Sequence, residues 1–151
     1  MNLNNKASII LTGLFLSSAC MVVTASESGL QITNQWVREA PPMASMLAGY
    51  LHIKNNTDGD VVVVGVNSLA FRKIEIHRTE IAEGIARMVQ QKRVEVPAKG
   101  ELAFEQAGYH LMLMKPSAPL KAGDTVSLKV QIEGAKPVVV TAPVKRAKSL
   151  D

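Results

Sequence analysis

From Leu30 onward the chain is a succession of short apolar and β-branched runs, each closed by Gly, Pro, Asn or Asp, and none sustains a helical period. Runs this short cannot build helices of useful length. They predict strands over residues 31–38, 48–55, 60–66, 72–78, 85–93, 102–106, 109–115, 125–132 and 138–144. Between them Ala40-Pro41-Pro42, Asn55-Asn56-Thr57-Asp58-Gly59, Pro97-Ala98-Lys99-Gly100, Lys115-Pro116 and Ala122-Gly123-Asp124 supply turn chemistry. Many strands at this spacing predict an all-β domain, a Greek-key sandwich or barrel.

The first 25 residues differ from the rest. Lys6 provides a small positive region, Ala7 to Val23 is apolar and nearly uncharged, and Val23-Thr24-Ala25 fits a secretory cleavage site. Residues 1–25 are therefore expected to be a cleaved signal peptide and residues 26–151 one domain, exported to the periplasm. Leu16-Ser17-Ser18-Ala19-Cys20 offers an alternative, a lipoprotein processing site in which Cys20 carries the lipid, although Ser17 stands where a large aliphatic residue is usual. No later run approaches the roughly 20 apolar residues of a membrane span.

Cys20 is the sole cysteine, so cleavage after Ala25 leaves neither a disulfide nor a thiolate site, and stability must come from a packed core. The chain carries +4. Losing Lys6 with the signal leaves 16 basic against 13 acidic residues, or +3. The one basic cluster, Lys145, Arg146 and Lys148, reads as a solvated terminus. With aromatics at 4% there is little on which to stack bases, which argues against a nucleic-acid partner.

Chemistry concentrates in Tyr109-His110-Leu111-Met112-Leu113-Met114. Strand alternation sends Tyr109, Leu111 and Leu113 to the core face and His110, Met112 and Met114 to the opposite one. There a half-solvated sheet ordinarily carries charged residues or Thr. In Ile74-Glu75-Ile76-His77-Arg78 the same test puts Ile74 and Ile76 inward and Glu75 and His77 outward. Met88 falls with Ala86 and Gln90, on the more polar face of its run. A short connection containing Gly84 predicts a hairpin that brings His77 and Met88 opposite or diagonal, their Cβ atoms roughly 5 to 7 Å apart. His110 and Met112, two residues apart, form a second same-face pair. Neutral, polarisable thioethers suit Cu(I) and serve Mg²⁺ or Ca²⁺ poorly, while imidazole accepts copper in either state. Any one of these methionines alone is more often core filler than ligand, so the inference rests on their combination with histidine on one face.

His77, ten residues, Met88, twenty-one residues, His110, one residue, Met112: this H-x10-M-x21-H-x-M spacing resembles the signature of the periplasmic PCu(A)C copper chaperones. The resemblance extends to Trp36-Val37-Arg38 with Pro41-Pro42, Ala48-Gly49-Tyr50-Leu51, Glu75-Ile76-His77, Gly108 to Leu113, and Pro119 to Asp124. It implies a cupredoxin-like β-sandwich and one Cu(I) held by His77, Met88, His110 and Met112. It also implies delivery to a copper-accepting protein such as the binuclear copper centre of cytochrome oxidase. Two features depart from the pattern. Arg78 stands where many relatives have Met, an extra charge expected near the site's rim, and the Lys148-Ser149-Leu150-Asp151 end lacks the His/Met-rich extension with which some relatives bind Cu(II).

Met43 and Met46 lie in a turn-rich segment where they could cap a copper site or pack beneath a loop. Met114 is expected to pack beside the site without ligating, and His52 to be an ordinary surface histidine. A blue-copper electron carrier requires a cysteine thiolate that residues 26–151 do not have, and no nucleophile-base-orienter arrangement suggests an enzyme. The expected protein is a monomeric carrier. An exported β-sandwich interaction module without metal function is the alternative.

Overall fold

The computed structural model describes residues 29–146. The expected export segment, with Cys20 and Ala25, lies outside the described residues, as does Lys148. Within them ten strands follow one another: β1 Leu30–Arg38, β2 Met46–Asn55, β3 Val61–Asn67, β4 Phe71–Ala82, β5 Ile85–Gln91, β6 Val94–Val96, β7 Glu101–Phe104, β8 Tyr109–Pro116, β9 Thr125–Ile132 and β10 Val138–Lys145. No described residue is helical.

Alternation decides which residues meet. In β9, Val126, Leu128, Val130 and Ile132 are buried while Thr125, Ser127 and Lys129 face solvent. The hydrogen-bonded order is β5-β4-β8-β7-β2-β1-β10-β9-β3-β6, and β8 also pairs with β2. Its two halves join at a short parallel pairing, where Val37 and Arg38 of β1 align with Val144 and Lys145 of β10. Leu51, Ile53, Phe104, Leu111 and Leu113 from one half and Val63, Val66, Val96, Leu128 and Val130 from the other enter the same core. The architecture is the expected all-β, cupredoxin-like sandwich.

Most strand ends lie within two residues of expectation, and two departures bear on the architecture. β4 continues to Ala82, carried past the core by its ladder with β5. The run expected to continue to residue 93 stops at Gln91, because Val94 and Val96 turn into the other layer as a separate strand, pairing with Val63 and Val61 of β3. Lys145 and Arg146 are exposed, as expected of a solvated terminus, and both have defined partners. Lys145 ends β10, and Arg146 Nε donates to Glu39 Oε2 at 3.0 Å. The Ala122 N–H, donating to Glu39, and then the Arg146 guanidinium hold the Glu39 carboxyl below the usual carboxylate range.

Asn55, fully buried, ties three segments together at the end of β2. Its Nδ2 lies 2.8 Å from Gly59 O, 3.1 Å from Val96 O and 3.0 Å from Pro97 O, and its Oδ1 accepts from the backbone N–H and the hydroxyl of Thr57.

The β4–β5 hairpin turns through Glu83 and Gly84, with φ of 53° and 76°, between the paired residues Ala82 and Ile85. Two positive φ values in a two-residue loop define a type I′ turn, which favours Asn before Gly. Glu83, exposed, is the misfit. Glu83→Asn is expected to stabilise the hairpin by about 0.5–1 kcal/mol, read as slower amide hydrogen exchange along β5. Unchanged or faster exchange would count against this account of the turn.

Candidate metal centre

β4 and β8 are adjacent and antiparallel, and His77 lies directly opposite His110 while Glu75 lies opposite Met112. The core-facing neighbours Ile76, Leu111 and Leu113 are buried, so these four side chains share the other face, as the alternation predicts. On the far side of β4, His77 is opposite Gln90 and Thr79 is opposite Met88. Met88 is thus on the face of His77 and diagonal to it. The register brings His77, His110, Met88 and Met112 onto one face of three adjoining strands.

That face is less solvated than expected at one point. His110 is only 6% exposed, and His77 and Met112 are half-buried. Met88, on the edge strand, is 62% exposed. The expectation that His110 replaces an ordinary solvent-facing residue is corrected accordingly: its side of the strand is right, but its ring is enclosed. The ring centroids of His77 and His110 stand 6.1 Å apart, with planes at 46°. An ion bonded at about 2.0 Å to one nitrogen of each imidazole lies roughly 3 Å from each ring centre, so one ion can bridge this separation.

Each ring has one nitrogen engaged and one open. His77 Nε2 lies 2.8 Å from Glu75 Oε2, and His110 Nδ1 lies 3.1 Å from Gly108 O. Both partners are acceptors, so in each neutral ring the engaged nitrogen carries the proton and the other keeps its lone pair. Among the described residues only three buried side-chain polar atoms lack a hydrogen-bond partner, and two of them are His77 Nδ1 and His110 Nε2. An unpaired buried nitrogen costs about 1–3 kcal/mol. Two of them in facing rings, each with its second nitrogen tied to an acceptor, reproduce the pattern of metal-ligating histidines.

Glu75 and Gly108 were not among the expected site residues. Alternation had put Glu75 on the face of His77, two residues away, which was the available signal. The backbone acceptor at Gly108 leaves no trace in a side-chain pattern. Glu75 also receives Lys73 Nζ at 2.5 Å. Lys73 first, then His77, hold its carboxyl below the usual range, so it remains an anionic acceptor for the His77 N–H.

The other candidates separate from this group. Arg78, expected at the rim, points to the opposite face, where its guanidinium lies 5.4 Å from the Tyr109 ring centre. His52, expected to be an ordinary surface histidine, is partly exposed and lies 3.4 Å from both Asn34 Nδ2 and Glu105 Oε1. Met114 and Met46 face each other across β8 and β2. Among the described residues no three His, Cys, Asp or Glu side chains converge as a metal-binding group.

Comparison with known proteins follows this geometry. The family model "Putative lipoprotein LpqE-like" matches residues 30–144. Over 138 residues the chain is 30% identical to "Putative lipoprotein Lxx21020" of Leifsonia xyli subsp. xyli (strain CTCB07), covering 89% of this chain and 82% of that protein. Among solved structures, the copper-bound PCuAC domain from PmoF2 superposes with a TM-score of 0.66 at 20% identity, covering 79% of this chain and 94% of that one. The Cu(I) form of DR1885 from Deinococcus radiodurans gives 0.62 at 27% identity, with coverages of 81% and 83%. The strand architecture is therefore that of a PCuAC domain, and by its family model and its relative this chain belongs to the LpqE-like family.

Proposed function

We propose that this protein is an exported copper carrier that holds one Cu(I) with His77 Nδ1, His110 Nε2 and the thioethers of Met88 and Met112. The observation that carries the reading is the pair of unpartnered ring nitrogens on facing strands, with both methionines on the same face. Two neutral imidazoles and two thioethers are soft enough to favour Cu(I), and without a thiolate they can surrender it to a stronger donor set. Similarity to a copper-bound PCuAC domain and to a Cu(I)-loaded protein supports the choice of metal.

Transfer is ligand exchange. An acceptor donor atom enters at the exposed Met88, that thioether leaves, and the ion passes to the acceptor as further acceptor atoms displace Met112 and the two imidazoles. Nothing is oxidised or reduced. The acceptor is a copper-requiring protein outside the cytoplasm, the copper centre of a terminal oxidase being the leading case. Export is supported by the lipoprotein names of the relatives, which also favour Cys20 as a lipid anchor over cleavage after Ala25. The mass of the native N-terminal peptide distinguishes the two. Among the described residues no helix is long and apolar enough to cross a membrane.

The test is an anaerobic Cu(I) competition titration against a chromophoric chelator, with His77, Met88, His110 and Met112 each changed to Ala. One tightly bound equivalent, weakened by every change while the fold persists, is expected. Glu75→Ala, which removes the acceptor that orients His77, is expected to lower the affinity by about 10–100-fold. Indifference to all four ligand changes would refute the copper site. The exposed edge strand β5, with Ile85 and Val89, would then favour an interaction module.

A further inference from the structure

The face that carries the proposed site continues along β8 and β2 as a row of thioethers. Met114 lies two residues beyond Met112 on β8 and directly opposite Met46 of β2, and Met112 lies opposite Ala48. Directly opposed antiparallel residues share a face and hold their Cβ atoms about 4.5–5.5 Å apart, within reach of one ion for side chains as long and flexible as methionine. Ala48 is small and leaves room between Met46 and Met112. Met46 is 44% exposed, so this end of the row is open to solvent, whereas Met112 and Met114 are half-buried. On the other flank Met114 and Met112 face Lys73 and Glu75 of β4, and Lys73 is drawn onto the Glu75 carboxylate. The lysine charge beside Met114 is thereby offset.

We propose that Met46, Met114 and Met112 form a second, weaker Cu(I) station beside the His77/His110 site. Met112 is common to both, so an ion can move between them by exchanging one thioether at a time without leaving the protein. This inference rests on the copper-carrier reading and extends it by adding a loading route on the β2 side, away from Met88. The chemistry selects soft monovalent cations. Three neutral thioethers offer no charge to compensate a hard or divalent ion.

The full chain, with methionine methyl groups carbon-13 labelled, is titrated anaerobically with Cu(I) and in parallel with redox-inert Ag(I). The first equivalent is expected to shift the methyl signals of Met88 and Met112, and the second those of Met46 and Met114. In Met46→Leu/Met114→Leu the second equivalent is lost while the first binds as in the parent. A second equivalent that leaves Met46 and Met114 unmoved, or that the double variant still binds, overturns the station and leaves the primary site standing. A first equivalent that leaves Met88 and Met112 unmoved overturns the carrier reading and the relay together. His77→Ala/His110→Ala supplies the complementary readout. It is expected to lose the tight equivalent and keep the response at Met46 and Met114, whereas silence at those methyls overturns the station.

Discussion

Replacing His110 with leucine is expected to abolish tight Cu(I) binding and to make the metal-free protein more stable. The ring is 6% exposed and its Nε2 has no partner, an arrangement that costs about 1–3 kcal/mol. Leucine has a similar volume, suits a strand, and leaves no polar atom unpaired. It gives up the hydrogen bond to Gly108 O, worth about 1 kcal/mol, but that carbonyl still accepts the Thr79 N–H at 3.1 Å and is not left unpaired. The net gain should be about 1 kcal/mol, or roughly 3–6 °C in Tm for a domain of this size. Thermal melts with and without Cu(I) separate the two effects. Copper should raise the Tm of the parent by much more than that of His110→Leu. A leucine variant less stable than the metal-free parent would mean that the ring serves packing, and the assignment of its nitrogen as a metal donor would lose its main physical support.

The second large effect lies away from the metal face. Asn55→Asp is expected to destabilise the fold by at least about 3 kcal/mol at neutral pH. The Asn55 amide nitrogen lies within hydrogen-bond distance of three backbone carbonyls, and aspartate would set a charged oxygen against the same three. Burial beside acceptors raises the folded-state pKa of such a carboxyl above its unfolded value. The folded state then binds the additional proton between the two values, and the deficit shrinks as pH falls through that window. Chemical denaturation of both proteins across acid and neutral pH measures it. Asn55→Ala, which removes the donor without adding a charge, should show a smaller loss with little dependence on pH. An aspartate variant no worse than the alanine one would contradict this account.

Residue order was enough to read much of this fold because its strands obey alternation. The face assignments of β4 and β8 followed from single positions such as Ile76 and Leu111, and the register then paired His77 with His110. What alternation could not supply is depth. It orders residues by face and says nothing of what covers that face, so the burial of His110 was missed. Nor could it count partners across 40 or more residues, and Asn55, read as the end of a strand and the start of a turn, proved to clamp the β6–β7 turn through Val96 and Pro97. Arg78 was misread for a related reason. A residue next to a ligand on a strand faces away from it, so nearness in sequence gave the wrong side. That the run from residue 85 ends at Gln91 and β6 follows as a separate strand depended on a change of layer that local propensity does not encode.

Three of the proposed ligands stand on β4 and β8, strands stitched to the core on their other face, while Met88 stands on β5, which has β4 as its one neighbour. With those four ligands, the lifetime of a bound ion would be set at the hairpin. Fraying from the Glu83-Gly84 turn would lift Met88 away while His77, His110 and Met112 keep their spacing, opening the ion to attack. Dissociation would then follow the opening rate of about one turn and two strand ends, and could be tuned at residue 83 with no change in the donor set. A variant with a tighter turn should hold copper longer and hand it on more slowly, at nearly unchanged equilibrium affinity for the three remaining donors.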